Sequence, residues 1–113
     1  MSKQFVTKSG IGSTSTSEMY KCGGDNAVVF GLSLANNQSS QISISVTLFS
    51  DSNGTTIDVI APNTLLDAKE TLVPIGGIQK FVMNENDKLQ VSCSTSNGVD
   101  FIVSAMEFTD YIW

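Results

Sequence analysis

Between residues 27 and 48 the even positions carry large apolar side chains: Val28, Phe30, Leu32 and Leu34, then Ile42, Ile44, Val46 and Leu48. Apart from Val29, the intervening odd positions are small or polar: Gly31 and Ser33, then Ser43, Ser45 and Thr47. A period of two places alternate side chains on opposite faces of a strand. The pattern therefore predicts two strands, each with one buried and one wet face. Joined by the polar Asn36-Asn37-Gln38-Ser39-Ser40, they read as an antiparallel hairpin. This restricts the chain to a β-sheet protein.

The rest of the sequence agrees. Ser, Thr, Asn and Gly fill 43 of the 113 positions, which favours turns and strands over helices. Short strands are expected over residues 4–8, 18–22, 55–60, 63–66, 70–74, 78–83 and 88–94, with a long last strand over 100–108. Asn53-Gly54 and Asn97-Gly98 are expected as hairpin turns, the first of type I′. Phe30, Leu32, Ile44, Val46, Leu89 and Val91 are expected in the core. The last strand carries Phe101, Val103 and Ala105 on one face and Ile102, Met106 and Phe108 on the other, so it should be central or covered outside. Short strands at even spacing without a convincing helix make an all-β fold: a single antiparallel β-sandwich over residues 1–113, with a jelly roll as one form of it. Residues 1–17 read as a flexible N-terminal arm, in which Ile11 is the one core residue of the connection 10–17. Residues 108–113 read as an aromatic C-terminal tail.

Charge and residue inventory exclude several functions. The net charge is −5, with six Lys, no Arg and no His. Phosphate backbones are gripped by clustered Lys and Arg, and bidentate base contacts favour Arg, so nucleic acid is not an expected partner. An anionic membrane surface is equally unsuited, and no run is long or apolar enough to span a bilayer. Met1-Ser2-Lys3-Gln4 leads into a strand-like stretch without the apolar core of a secretory signal, so synthesis in the cytoplasm is expected. Cys22 and Cys93 are expected as buried thiols rather than a disulfide.

Without histidine, a Ser-His-Asp triad, a Cys-His pair and the usual zinc sites cannot form. Gly10-Ile11-Gly12 lacks the third glycine of a dinucleotide fingerprint. Asp51-Ser52-Asn53-Gly54 lacks the closing glutamate of a calcium loop and is explained by a turn. Asp25, Asp51, Asp67, Glu85, Asp87 and Asp100 read as solvated turn residues. No catalytic, cofactor-binding or metal-binding residues are assigned, and the chain is not expected to be an enzyme. Phe108, Tyr111, Ile112 and Trp113 stand out instead. So much apolar surface is costly to leave wet, and Trp and Tyr are common interface anchors.

From about residue 27 onward the chain resembles a family of small virion proteins of tailed bacteriophages, common among marine and cyanobacterial phages. The resemblance rests on Val29-Phe30-Gly31-Leu32-Ser33-Leu34-Ala35-Asn36 and Ile42-Ser43-Ile44-Ser45-Val46-Thr47-Leu48. It continues in Gly76-Gly77, Asn86-Asp87-Lys88-Leu89-Gln90-Val91 and Val99-Asp100-Phe101-Ile102-Val103-Ser104. The stretch around Met83-Asn84-Glu85 and the aromatic tail depart from the family. The resemblance implies a structural virion component without catalytic residues, located in the virion and made in the host cytoplasm. A capsid decoration or cement protein is the expected role. The alternatives are a neck, tail or baseplate accessory, or a carbohydrate-binding module for host attachment. The expected partners are copies of itself, as a homo-oligomer of three, and other virion proteins such as the major capsid protein. Phe108, Tyr111, Ile112 and Trp113 would form the contact.

Overall fold

Alternating apolar and polar residues recur along most of the chain, and each such run folds as a strand. The computed structural model describes residues 2–76 and 80–109. Among them lie ten strands and no helix: β1 (Ser2–Gly12), β2 (Ser17–Lys21), β3 (Asn26–Asn36), β4 (Ile42–Ser50), β5 (Thr55–Asp58), β6 (Thr64–Leu66), β7 (Thr71–Ile75), β8 (Phe81–Asn84), β9 (Lys88–Cys93) and β10 (Val99–Thr109).

The strands form two antiparallel sheets packed face to face, a β-sandwich. The first sheet runs β1-β10-β3-β7, with β8 also paired to β3. The second runs β2-β9-β4-β5, with β6 also paired to β4. The chain is in effect one long folded hairpin: β1 lies against β10, β2 against β9, β3 against β7 and β8, and β4 against β5 and β6. Rolling it up adds the β10–β3 and β9–β4 pairings. This is a jelly roll.

The core lies between the sheets. Val29, Leu32, Leu34, Met83, Val99 and Val103 from the first meet Tyr20, Ile42, Ile44, Val46, Leu89 and Val91 from the second, all fully buried. Burying each such side chain contributes about 1.5–3 kcal/mol relative to leaving it wet. Both cysteines are buried as free thiols.

The expected β3–β4 hairpin does not form. The two strands belong to different sheets and face each other across the core. Alternation fixes which face of a strand is buried, not which strand lies beside it. The connection crosses from one sheet to the other and is held by Asn36, a buried polar residue. The two hydrogens of its Nδ2 are shared among the carbonyls of Ser40 at 2.9 Å, Leu66 at 3.0 Å and Asp67 at 2.9 Å, while its Oδ1 accepts the Gln38 amide at 2.8 Å.

Phe30 is not in the core either. Val29, the one apolar residue at an odd position there, is fully buried, and Phe30 is exposed. The β10–β3 register shifts between Ser104 and Ala105, whose partners are Gly31 and Val29. A bulge at Phe30 thus reverses the inward face halfway along β3. The other five expected core residues are buried.

The turn chemistry also differs. Thr55–Asp58 folds back onto β4 as expected, but only Gly54 of the Asn-Gly pair has positive φ, 65°, so the turn is not type I′. The Gly54 amide donates to the Ser50 carbonyl at 2.8 Å, closing a wider loop. In the second pair Asn97, at φ 55°, takes the left-handed conformation, and the Gly98 amide donates to the Thr95 carbonyl.

β1 continues to Gly12, paired with β10 along its whole length, and Ile11 points to solvent. The inward positions at its end are glycines because the core comes too close: a Cβ on Gly12 would sit 2.8 Å from a Val99 methyl. Asp87 is another correction, since it is buried rather than solvated. Its carboxylate accepts the Asp51 amide at 3.0 Å and the Asn84 amide at 2.9 Å, tying the β8–β9 turn to the loop after β4.

Candidate interaction surface

The two outward faces of the sandwich differ in chemistry. On the second sheet, cross-strand partners are Ser45 with Ser92 and Thr47 with Gln90. Phe49 there lies under the Lys88 ammonium, 5.8 Å from its ring centre. That face is mostly polar, as alternation predicts for an antiparallel sheet, with Leu65 of β6, the partner of Ser43, exposed on it.

The first sheet is different. Its register aligns Phe5 of β1 with Met106 of β10, Met106 with Val28 of β3, and Val28 with Val82 of β8. These four side chains form an apolar row across four strands on the solvent side. Phe5 is 73% exposed and Val82 59%, with Met106 and Val28 half-buried between them. The bulge adds Phe30, 38% exposed, whose ring meets Phe5 edge to face with centroids 6.0 Å apart. Ile102 of β10 and Val73 of β7 extend the patch, exposed by 50% and 58%. β10 is central, as its two apolar faces predict, and among the described residues its outward Ile102 is half exposed.

Within this face, between β10, β3 and β7, lies a shallow open depression of about 240 Å³. Gly31, Ser33 and Ser104 provide small residues there, and Val73, Ile75 and Ile102 provide apolar walls. Ser104 pairs with Gly31 and Ile102 with Ser33, so the small residues adjoin in register. Gly31 leaves room there: a Cβ would make only ordinary contact with Ser104, at 3.4 Å.

Phe108 is half-buried in β10, with Lys3 as its partner on one side and Asn26 on the other. It adjoins the row through Phe5 at one end of the patch. Tyr111, Ile112 and Trp113, the other expected contact residues, lie outside the described residues. Sequence reading missed Phe5, Val73 and Val82 as a set because they are far apart in the chain and only the register brings them together. The signal available was the last strand, apolar on both faces.

Chemically reactive geometry is sparse. Tyr20 is buried, and its hydroxyl donates to the Glu107 carboxylate, which also accepts the Gly23 amide at 3.3 Å. Burial first, then this carboxylate, pushes the Tyr20 hydroxyl well above the usual phenol range. Burial also raises the Cys22 thiol, so it is held in the poorly nucleophilic form. Among the described residues no group of three or more His, Cys, Asp or Glu could hold a metal ion, and no helix is long and apolar enough to cross a membrane.

Comparisons with known proteins agree on the fold. No protein-family model and no curated protein sequence matches the chain. Among solved structures, it is similar to a protein from Bacillus endospore appendages, described as a novel family of disulfide-linked pili. The TM-score is 0.53 at 14% identity, covering 96% of this chain and 88% of that one. It is similar also to a protein of the acidic stable capsid of Helicobacter pylori bacteriophage KHP30. There the TM-score is 0.54 at 13% identity, covering 92% of this chain and 85% of that one. At such identities the likeness is one of fold.

Proposed function

We propose that this chain is a non-enzymatic structural protein of a virion, a capsid decoration or cement protein that packs on a repeating particle surface. The observation that carries the reading is the apolar row Phe5–Met106–Val28–Val82 with Phe30, Ile102 and Val73 around it. A contiguous apolar patch of this kind marks an interaction site. A chain of net charge −5 has the opposite sign from a nucleic-acid binder, so the surface suits protein. The fold shared with a protein of a phage capsid supports a place in a shell, and the resemblance to small virion proteins of tailed phages supports the same class. In this reading the partners are other copies, as a trimer, and the major capsid protein. Phe108, Tyr111, Ile112 and Trp113 take part in the contacts, and the chain is made in the host cytoplasm before joining the particle. A neck, tail or baseplate position would use the same surface. The glycan-binding alternative would use Tyr111 and Trp113 as its aromatic pair, and these lie outside the described residues.

The reading is tested by adding the purified protein to particles that lack it and measuring what co-sediments. Val82→Lys and Ile102→Lys place charge on the outward face and should leave the fold intact while reducing co-sedimentation at least tenfold. Thr47→Lys, on the outward face of the second sheet, should have little effect. Undiminished binding by the first pair, with loss in Thr47→Lys, would overturn the assignment of the surface.

A further inference from the structure

We infer that the depression at Gly31 receives the Tyr111–Trp113 segment of a second copy of this chain, with the Trp113 indole seated between Ile102 and Val73. The inference rests on the assembly reading above and gives its apolar face a specific occupant.

Reach decides which copy supplies the segment. β10 runs from Ile102 and Ser104, at the depression, to Thr109, and at ~3.3 Å per residue Thr109 stands ~17 Å beyond Ser104. Trp113 follows Thr109 by four residues, which span at most ~14 Å when fully extended. To return, the chain must first reverse, and the tightest reversal uses about two of those residues. The remainder covers ~7 Å, which even with the indole's own length stops short of Ile102, two residues beyond Ser104. By length the segment of the same chain falls short of the seat between Ile102 and Val73, so the inferred occupant comes from a neighbour.

The chemistry fits an indole. At about 240 Å³ the depression is smaller than a typical small-molecule site of roughly 300–1,000 Å³ and suits a large side chain. Its walls are apolar at Val73, Ile75 and Ile102. Ser33 and Ser104 also line it, and a serine hydroxyl can accept the indole N–H, a donor that needs a partner once buried. One segment entering one depression is a head-to-tail contact, which closes into a ring when the rotation permits. The proposed trimer is such a ring.

Trp113 is the single tryptophan, so its fluorescence reports its own surroundings. In the wild type, emission should shift to longer wavelength on dilution, in step with loss of the oligomer in sedimentation velocity. Gly31→Leu fills the depression and should remain folded, monomeric and long-wavelength at every concentration. Should that variant misfold, Ser33→Phe fills the same space from the neighbouring residue. The decisive step mixes variants. Gly31→Leu keeps the segment and loses the receptor; Trp113→Ala keeps the receptor and loses the indole. Adding the second to the first should shift the emission of the first to shorter wavelength. No shift on mixing, or short-wavelength emission from a wild-type monomer, would overturn the inference. If Gly31→Leu still associates and still joins particles, another surface makes the contact and the assembly reading survives without this one. If the wild type joins no particle at all, the assembly reading itself fails.

Discussion

Phe30 and Leu32 are two residues apart and were expected on one face, yet only Leu32 is buried. The bulge between them separates a stability residue from a surface residue. Leu32→Ala should cost about 2–5 kcal/mol in chemical denaturation. Phe30→Ala should cost about 1 kcal/mol, the lost edge-to-face contact with Phe5, and should weaken particle binding instead. Equal costs at the two positions would contradict the bulge. Tyr20 and Glu107 give a second residue-scale expectation. The folded protein holds the Tyr20 hydroxyl above its ordinary pKa of 10.0. Above that pH the unfolded chain ionises first and releases a proton that the folded chain keeps. The contribution is therefore fully present below about pH 10 and is lost as pH rises beyond it. Urea midpoints measured from pH 8 to 11 should fall at the alkaline end, and Tyr20→Phe should flatten that fall while lowering stability by about 1–3 kcal/mol at neutral pH.

At the scale of elements, β1 is held to the sandwich by its pairing with β10 and by the closeness of its two inward glycines to the core. Gly12→Ala would place a methyl against Val99 and Val91. It should cost about 1–3 kcal/mol through overpacking. Amide hydrogen exchange should quicken at the Gly12 end of β1 and stay slow in β4; a uniform change would count against local strain. Most elements were legible in the sequence because period-two runs such as Ile42 to Leu48 and Leu89 to Cys93 report burial directly. Pairing was not legible. Residues 26–36 and 42–50 are adjacent in the chain, but their link crosses between the sheets, and the Asn36 side chain that fixes the crossing looks like any loop asparagine. The bulge left one trace, an apolar Val29 where the pattern called for a small or polar residue. Asp87 gave none, because a buried carboxylate that accepts two amides has the same sequence signature as a wet turn. The apolar row was half legible: Met106 sits in a strand apolar on both faces, but Phe5 and Val82 join it only through the register.

The whole molecule is elongated, 54 × 27 × 22 Å, and the first sheet carries the larger apolar row on its outward face. Such asymmetry suits a subunit that lies on a surface by one side and meets water by the other. In the proposed assembly, self-association and particle binding draw on the same sheet, so a change on that sheet should affect both. The most direct test of this account is a cryo-EM reconstruction of intact particles that carry the chain. The account places copies at symmetry-related positions on the capsid exterior, with Phe5, Phe30, Val82 and Ile102 covered by neighbouring protein and the Ser45–Ser92 face toward solvent. Copies found with that polar face against the shell and the apolar row left bare, or no copies on the capsid at all, would contradict it.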